Sequence, residues 1–119
     1  MRDHTSLLAW REANIVALAA VNLNTKYWKP PAGHIFSQLL RSSLSVQLNI
    51  AEGYAFTDSP SFLRHLRIAY GSAVETADLL NLLVQSRTVG LEPVSEVLGH
   101  CRRSQKLLMG LIRRQAGKR

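Results

Sequence analysis

Seven basic side chains fall within the last eighteen residues: Arg102, Arg103, Lys106, Arg113, Arg114, Lys118 and Arg119, with no carboxylate among them. The first 101 residues hold eight Lys/Arg against eight Asp/Glu, so the formal charge of +7 is a local field at one end of the chain. Guanidinium and ammonium groups gathered in this way attract phosphate chains, anionic membranes or acidic proteins. At 100° per residue, Arg102, Arg103, Lys106, Arg113 and Arg114 fall within about a third of a helix circumference, so the run makes one face. Compensation of a helix dipole accounts for Arg113 and Arg114 but not for Arg102 and Arg103, about two to three turns earlier. All seven are therefore candidate nucleic-acid-binding residues. They act on phosphates with little sequence preference, because neither a recognition-helix arrangement nor a stacking platform accompanies them. A solvated face and a protein or membrane surface are the weaker alternatives.

Other chemistry finds less support. His4, His34, His65 and His100 are scattered without paired metal-ligand spacing. Cys101, the single cysteine, falls on an apolar stripe, where a thiol is usually inert packing, and it excludes an internal disulfide. No Gly-rich phosphate loop or nucleophile elbow is present. The reading is a non-enzymatic protein with no cofactor and no metal. Lys26, Tyr27, Trp28 and Lys29 mix aromatics with cations as single-strand binders do, but they precede Pro30-Pro31 and read better as a staple between helices. Gln38, Arg41, Ser42, Ser45, Asn49 and Glu52 form a polar stripe at helical spacing. It reads as a hydrogen-bonded seam between helices or subunits rather than as a ligand site.

The elements that carry these residues follow from punctuation. Pro30-Pro31 with Gly33, Gly53 with Ser59-Pro60, and Gly90 with Pro93 cut 119 residues into four amphipathic stretches with no sustained period of two. Helices are expected over about 6–24, 34–53, 60–87 and 93–115. Ser6 is the expected N-cap of the first, Gly53 the residue just past the second, and Ser59 the cap of the third with Pro60 at its first position. Phe62, Leu66, Ala69, Ala73, Ala77, Leu80 and Val84 make the seam of the third helix, with Arg64, Arg67, Glu75 and Asp78 opposite. Val94, Val97, Leu98, Cys101, Leu108 and Ile112 make the stripe of the fourth. Short connections then give an all-α, antiparallel up-down four-helix bundle in a single domain, 1–119. The first helix is apolar around almost its whole circumference: Leu7, Leu8, Trp10, Ile15, Val16, Leu18, Val21 and Leu23 leave only Arg11, Asn14 and Asn22 as a polar stripe. One small bundle cannot bury all of that, so a homo-oligomer is expected. The apolar fraction of 46% fits a folded globule. No apolar run reaches the length of a membrane span, and Asp3, Arg11 and Glu12 spoil any signal-peptide pattern, so the protein is read as cytoplasmic and without a membrane partner.

The stretch Gln38–Gly53 reads Q-L-L-R-S-S-L-S-V-Q-L-N-I-A-E-G. It resembles the four-helix-bundle family first met as proteins encoded by intervening sequences in bacterial large-subunit ribosomal RNA genes, whose pattern here is Q-L-R-R-A-A-x-S-I-P-x-N-I-A-E-G. Gln38, Leu39, Arg41, Ser45, Asn49, Ile50, Ala51, Glu52 and Gly53 match, supported by Trp10, Phe62, Leu66, Ala69, Gly71, Ser72 and Glu75 over roughly residues 7 to 115. Leu40 replaces a frequent second Arg and Gln47 a frequent Pro, and the loss of that proline should straighten the second helix. The family includes accessory variability proteins of diversity-generating retroelements, which look like basic homopentamers that bind nucleic acid and a reverse transcriptase. The resemblance thus implies a ring-forming, non-enzymatic accessory protein with RNA or DNA and a reverse transcriptase as partners. The alternative it leaves open is a scaffold of the ribosomal RNA intervening-sequence type that binds another protein.

Overall fold

A computed structural model describes residues 3–56 and 58–118. Among these the chain forms four α-helices and no strand: α1 (Leu8–Tyr27), α2 (Gly33–Ala55), α3 (Ser59–Gln85) and α4 (Leu91–Ala116). Each helix packs on its neighbour in sequence, and α4 closes back onto α1, giving an antiparallel bundle with extents of 48 × 21 × 21 Å.

The helix ends depart from the expected caps in ways that hydrogen bonding explains. Ser6 does not cap α1. It sits in a 3₁₀ turn, His4–Ser6, because Asp3 supplies better acceptors: its carboxylate accepts from the Thr5 amide at 3.0 Å and the Thr5 hydroxyl at 2.8 Å. Helix α1 then runs on to Tyr27, since nothing breaks it before Pro30. Asp58, not Ser59, caps α3, accepting from the Ser61 amide at 2.8 Å, and Pro60 lies in the first turn. That bond holds the Asp58 carboxyl below its ordinary pKa. Helix α4 begins at Leu91, two residues before the expected proline, which its first turn tolerates.

Gly53 does not end α2. The helix passes through it to Ala55, and Gly53 is buried where α3 crosses. A Cβ there would lie 2.6 Å from His65 Cβ and 3.1 Å from Phe62 Cδ1, so glycine serves close approach rather than a turn. Among the described residues, Arg87, just past α3, is left-handed at φ 59°. There the amides of Thr88 and Val89 both reach the Leu83 carbonyl, a C-terminal closure usually built on glycine.

Two apolar clusters fill the bundle. One gathers Val16, Ala20, Phe36, Leu39, Leu80, Leu83, Val94 and Leu98; the other gathers Ala9, Ala13, Val46, Ile50, Phe62, Leu66 and Leu108. Buried Ser42, Ser43, Thr76 and Ser104 lie between them. The α3 seam follows expectation through Ala73 and then rotates. Thr76 and Leu83 are fully buried, while Ala77 and Val84 are only partly so. A straight helix drifts against a 3.5-residue repeat, and Thr76 can turn inward because its hydroxyl donates to Ser42 Oγ at 2.8 Å. On α1, Leu18 (59% exposed) and Val21 (51%) stay on the outer surface, as do Leu44 (48%) and Leu48 (51%) on α2.

Candidate nucleic-acid interface

Helix α4 must bury Val94, Val97, Leu98, Cys101, Ser104 and Leu108, and this fixes the direction of everything else it carries. Arg102, Arg103, Lys106, Arg113 and Arg114 are all exposed, and exposed Lys118 follows the helix end. Arg119 lies outside the described residues.

Hydrogen bonds to the neighbours divide this face into two rows. On one side the Cys101 thiol and the Gln105 amide both donate to the Ala73 carbonyl of α3, at 3.3 and 3.2 Å. Arg102, Lys106 and Arg113 project on that side of the outer crest. On the other side, Arg103 Nη1 donates to Glu12 Oε1 of α1 at 3.2 Å, and the same oxygen meets His100 Nδ1 at 2.7 Å. Arg114 shares that flank, where it lines a hollow with Leu8 and Ala9. The run is acid-free in sequence but not in space: Glu12, 91 residues away, neutralises part of the Arg103 row. Among the described residues, Arg102, Lys106, Arg113 and Arg114 form no ion pair. Gly99 and Gly110 occupy the crest between the rows, and a Cβ at either would meet nothing within 4 Å.

The polar stripe of α2 is an interhelical seam. Ser42 pairs with Thr76, Ser45 with Ser72 at 2.8 Å, and Asn49 Oδ1 with His65 Nδ1 at 2.9 Å, while the Asn49 amide donates to the Ser45 carbonyl. Gln38, Arg41 and Glu52 stay exposed outside it. The matched motif residues Asn49 and Gly53 thus bear on the same α3 side chain: Asn49 bonds the His65 ring and Gly53 makes room for its Cβ. The Phe56 ring stacks on His65 with centroids 5.4 Å apart. At the end of α1, the Lys26 ammonium sits 5.5 Å from the Tyr27 centroid, and just past it the Trp28 ring lies against Gly33, the arrangement of a staple.

Among the described residues no three His, Cys, Asp or Glu side chains stand together as metal ligands. Cys101 is buried, and burial pushes its thiol up to about 11. A wide hollow of about 890 Å³ sits at the other end of the bundle, but Glu92 and Glu96 rim it, which suits no phosphate. Two features of the basic surface were hidden from the chain alone. The Glu12 tie has no local signal. Tyr70 and Arg67 of α3, half-buried and exposed, step outward from Ala73, whose carbonyl accepts from α4, and show in the chain only as a three-residue step.

Fold and surface together define an antiparallel four-helix bundle with an exposed basic face on its last helix. The 23S rRNA-intervening sequence protein family matches residues 5–110, and the chain belongs to that family. It is similar to a solved protein of unknown function from the S23 ribosomal protein family of Bacteroides thetaiotaomicron, at 25% identity and a TM-score of 0.79, over 87% of this chain and 97% of that one. A search of curated proteins finds no match. Among the described residues no helix is long and apolar enough to cross a membrane.

Proposed function

We propose that this protein is a non-enzymatic, nucleic-acid-binding accessory protein that acts as a ring-shaped homo-oligomer of about five copies, with a reverse transcriptase of a retroelement as its partner. The observation that carries the reading is the α4 surface: Arg102, Lys106, Arg113 and Arg114 stand exposed, with no ion pair to any described residue. An exposed ion pair is worth little, so leaving these cations unpaired costs the fold almost nothing and keeps them open to phosphate. One copy offers few phosphate contacts, so binding by a monomer is weak. A ring that brings several faces to one strand raises apparent affinity by roughly 10²–10⁴-fold.

Self-association is supported by the uncovered apolar side chains of α1 and α2. The Gln47 amide donates to Asn14 Oδ1 at 2.8 Å, which sets the antiparallel register and places Leu18 and Leu44 one turn to the same side of that pair. Leu18→Asp should lower the particle mass, read by multi-angle light scattering, and a wild-type particle of 13.3 kDa would refute the oligomer. The reverse transcriptase rests on the resemblance to accessory variability proteins, and co-purification from cells that carry both genes tests it.

The nucleic-acid reading is tested by changing Arg102, Arg103 and Lys106 to Glu. Binding to an oligonucleotide should be lost with helicity and particle mass intact. In the wild type, log affinity should fall with log salt by about 0.7–0.9 per phosphate neutralised. A triple variant that binds as tightly as wild type would make the face solvated surface and leave the protein-binding scaffold as the reading.

A further inference from the structure

We propose that the groove between α3 and α4 is a track for one strand of nucleic acid, in which Tyr70 stacks on an unpaired base and Arg67 adds a phosphate contact from the second helix. This rests on the nucleic-acid reading above and names the form of the ligand.

The geometry begins at the Ala73 carbonyl, which accepts from both Cys101 and Gln105. That fixes which residues of the two antiparallel helices stand level. From Ala73, steps of three residues toward the start of α3 turn progressively outward. Ala73 is buried, Tyr70 half-buried and Arg67 exposed. Steps toward the end of α4 pass Lys106, half-buried Met109 and Arg113. Tyr70 and Met109 therefore form the floor. Arg67 stands on one wall, and Arg102, Lys106 and Arg113 on the other.

Arg102 to Arg113 covers about 16 Å of helix, enough for a few nucleotides. Val74 and then Asp78 follow on α3, and Asp78 closes the basic stretch by repelling phosphate. Arg103 and Arg114 face α1 and stand outside the groove.

A single strand fits this groove and a duplex does not. Packed helices lie about 8–10 Å apart axis to axis, which leaves room for one backbone along the furrow. A tyrosine ring in the floor gains from a base only when that base is unpaired. Cations alone bind either form through phosphates.

The test uses the full chain and labelled oligonucleotide probes about 12 nucleotides long, chosen to span the roughly 16 Å basic stretch with a margin: oligouridine, oligodeoxythymidine and a duplex of the same length. Tyr70→Ala should weaken binding to both single strands roughly ten-fold. The duplex should stay within about two-fold, a change too small to reflect a lost contact. Tyr70→Phe should restore single-strand binding. Arg67→Gln should lower affinity and reduce the single-strand salt slope by about 0.7. Tyr70 also packs against the core, so Tyr70→Trp supplies a second readout, the emission it adds to that of native Trp10 and Trp28, taken as the difference from wild type, being quenched by single strands and not by duplex. The groove is overturned if Tyr70→Ala binds single strands as wild type does, if it loses both forms equally, or if single strands leave the indole emission of Tyr70→Trp unchanged. If the Arg102, Arg103 and Lys106 triple variant loses binding while the Tyr70 and Arg67 variants keep the wild-type preference, the groove alone fails. If the triple variant binds as tightly as wild type, the reading beneath it fails.

Discussion

Replacing Gly53 with alanine tests why the matched motif ends in glycine. The added Cβ would lie 2.6 Å from His65 Cβ, whereas carbon atoms rest about 3.5–4.0 Å apart. About 1 Å must be recovered, and the obstructing atom is fixed to the α3 backbone rather than being a flexible tip. The helices must part, straining the Asn49–His65 bond and the Ser45–Ser72 pair alongside. Overpacking of this kind costs about 1–3 kcal/mol. Alanine also gains about 0.8–1.0 kcal/mol of helix propensity over glycine, which hides part of the cost. Gly71→Ala supplies the reference: it lies in the interior of α3, and its Cβ would meet nothing within 4 Å, so it shows the propensity gain alone. The difference between the two variants isolates the clash, about 1–3 kcal/mol, or roughly 0.5–2 M in urea midpoint. Urea titrations followed by far-ultraviolet circular dichroism read it directly. Equal midpoints would refute the close-approach account of Gly53.

Asn49→Ala should destabilise the fold by about 1–3 kcal/mol, because the largely buried His65 ring nitrogen loses its partner; a urea midpoint equal to wild type would remove Asn49 from the seam. Cys101 should resist a thiol reagent at about pH 8 in the folded protein and react on unfolding. Its folded pKa of about 11 stands above the ordinary 9.0, so between these values the unfolded chain sheds a proton that the native state keeps, and stability falls as pH rises through that window, by about 3 kcal/mol in all. Cys101→Ala should flatten that part of the stability–pH curve. Glu12→Gln should release Arg103 and strengthen oligonucleotide binding a few-fold at low salt, with the gain fading at high salt, and an unchanged affinity would show that the Arg103 row takes no part.

The four helices, their order and the exposed basic face were legible in the chain because each depends on local rules. Pro30-Pro31 and Pro60 break or start helices wherever they stand, and the 3.6-residue period of α4 separates Val94, Leu98 and Cys101 from Arg102 and Lys106 without reference to any other segment. The Gln38–Gly53 motif likewise named the family before its residues had partners. The tertiary structure decided what rests on two segments meeting. Gly53 reads locally as a stop, and only the crossing of α3 makes it a point of contact. Thr76 is a polar residue that a seam would leave outside until Ser42 arrives to bond it. The cap of α3 is the exception, a local contest that Asp58 wins over Ser59 because its carboxylate reaches the Ser61 amide three residues on. Most plainly, a run of cations shows its own composition but not the charges brought to it. Folding sets Glu12 against Arg103, and electrostatic fields add through space with no account of distance along the chain.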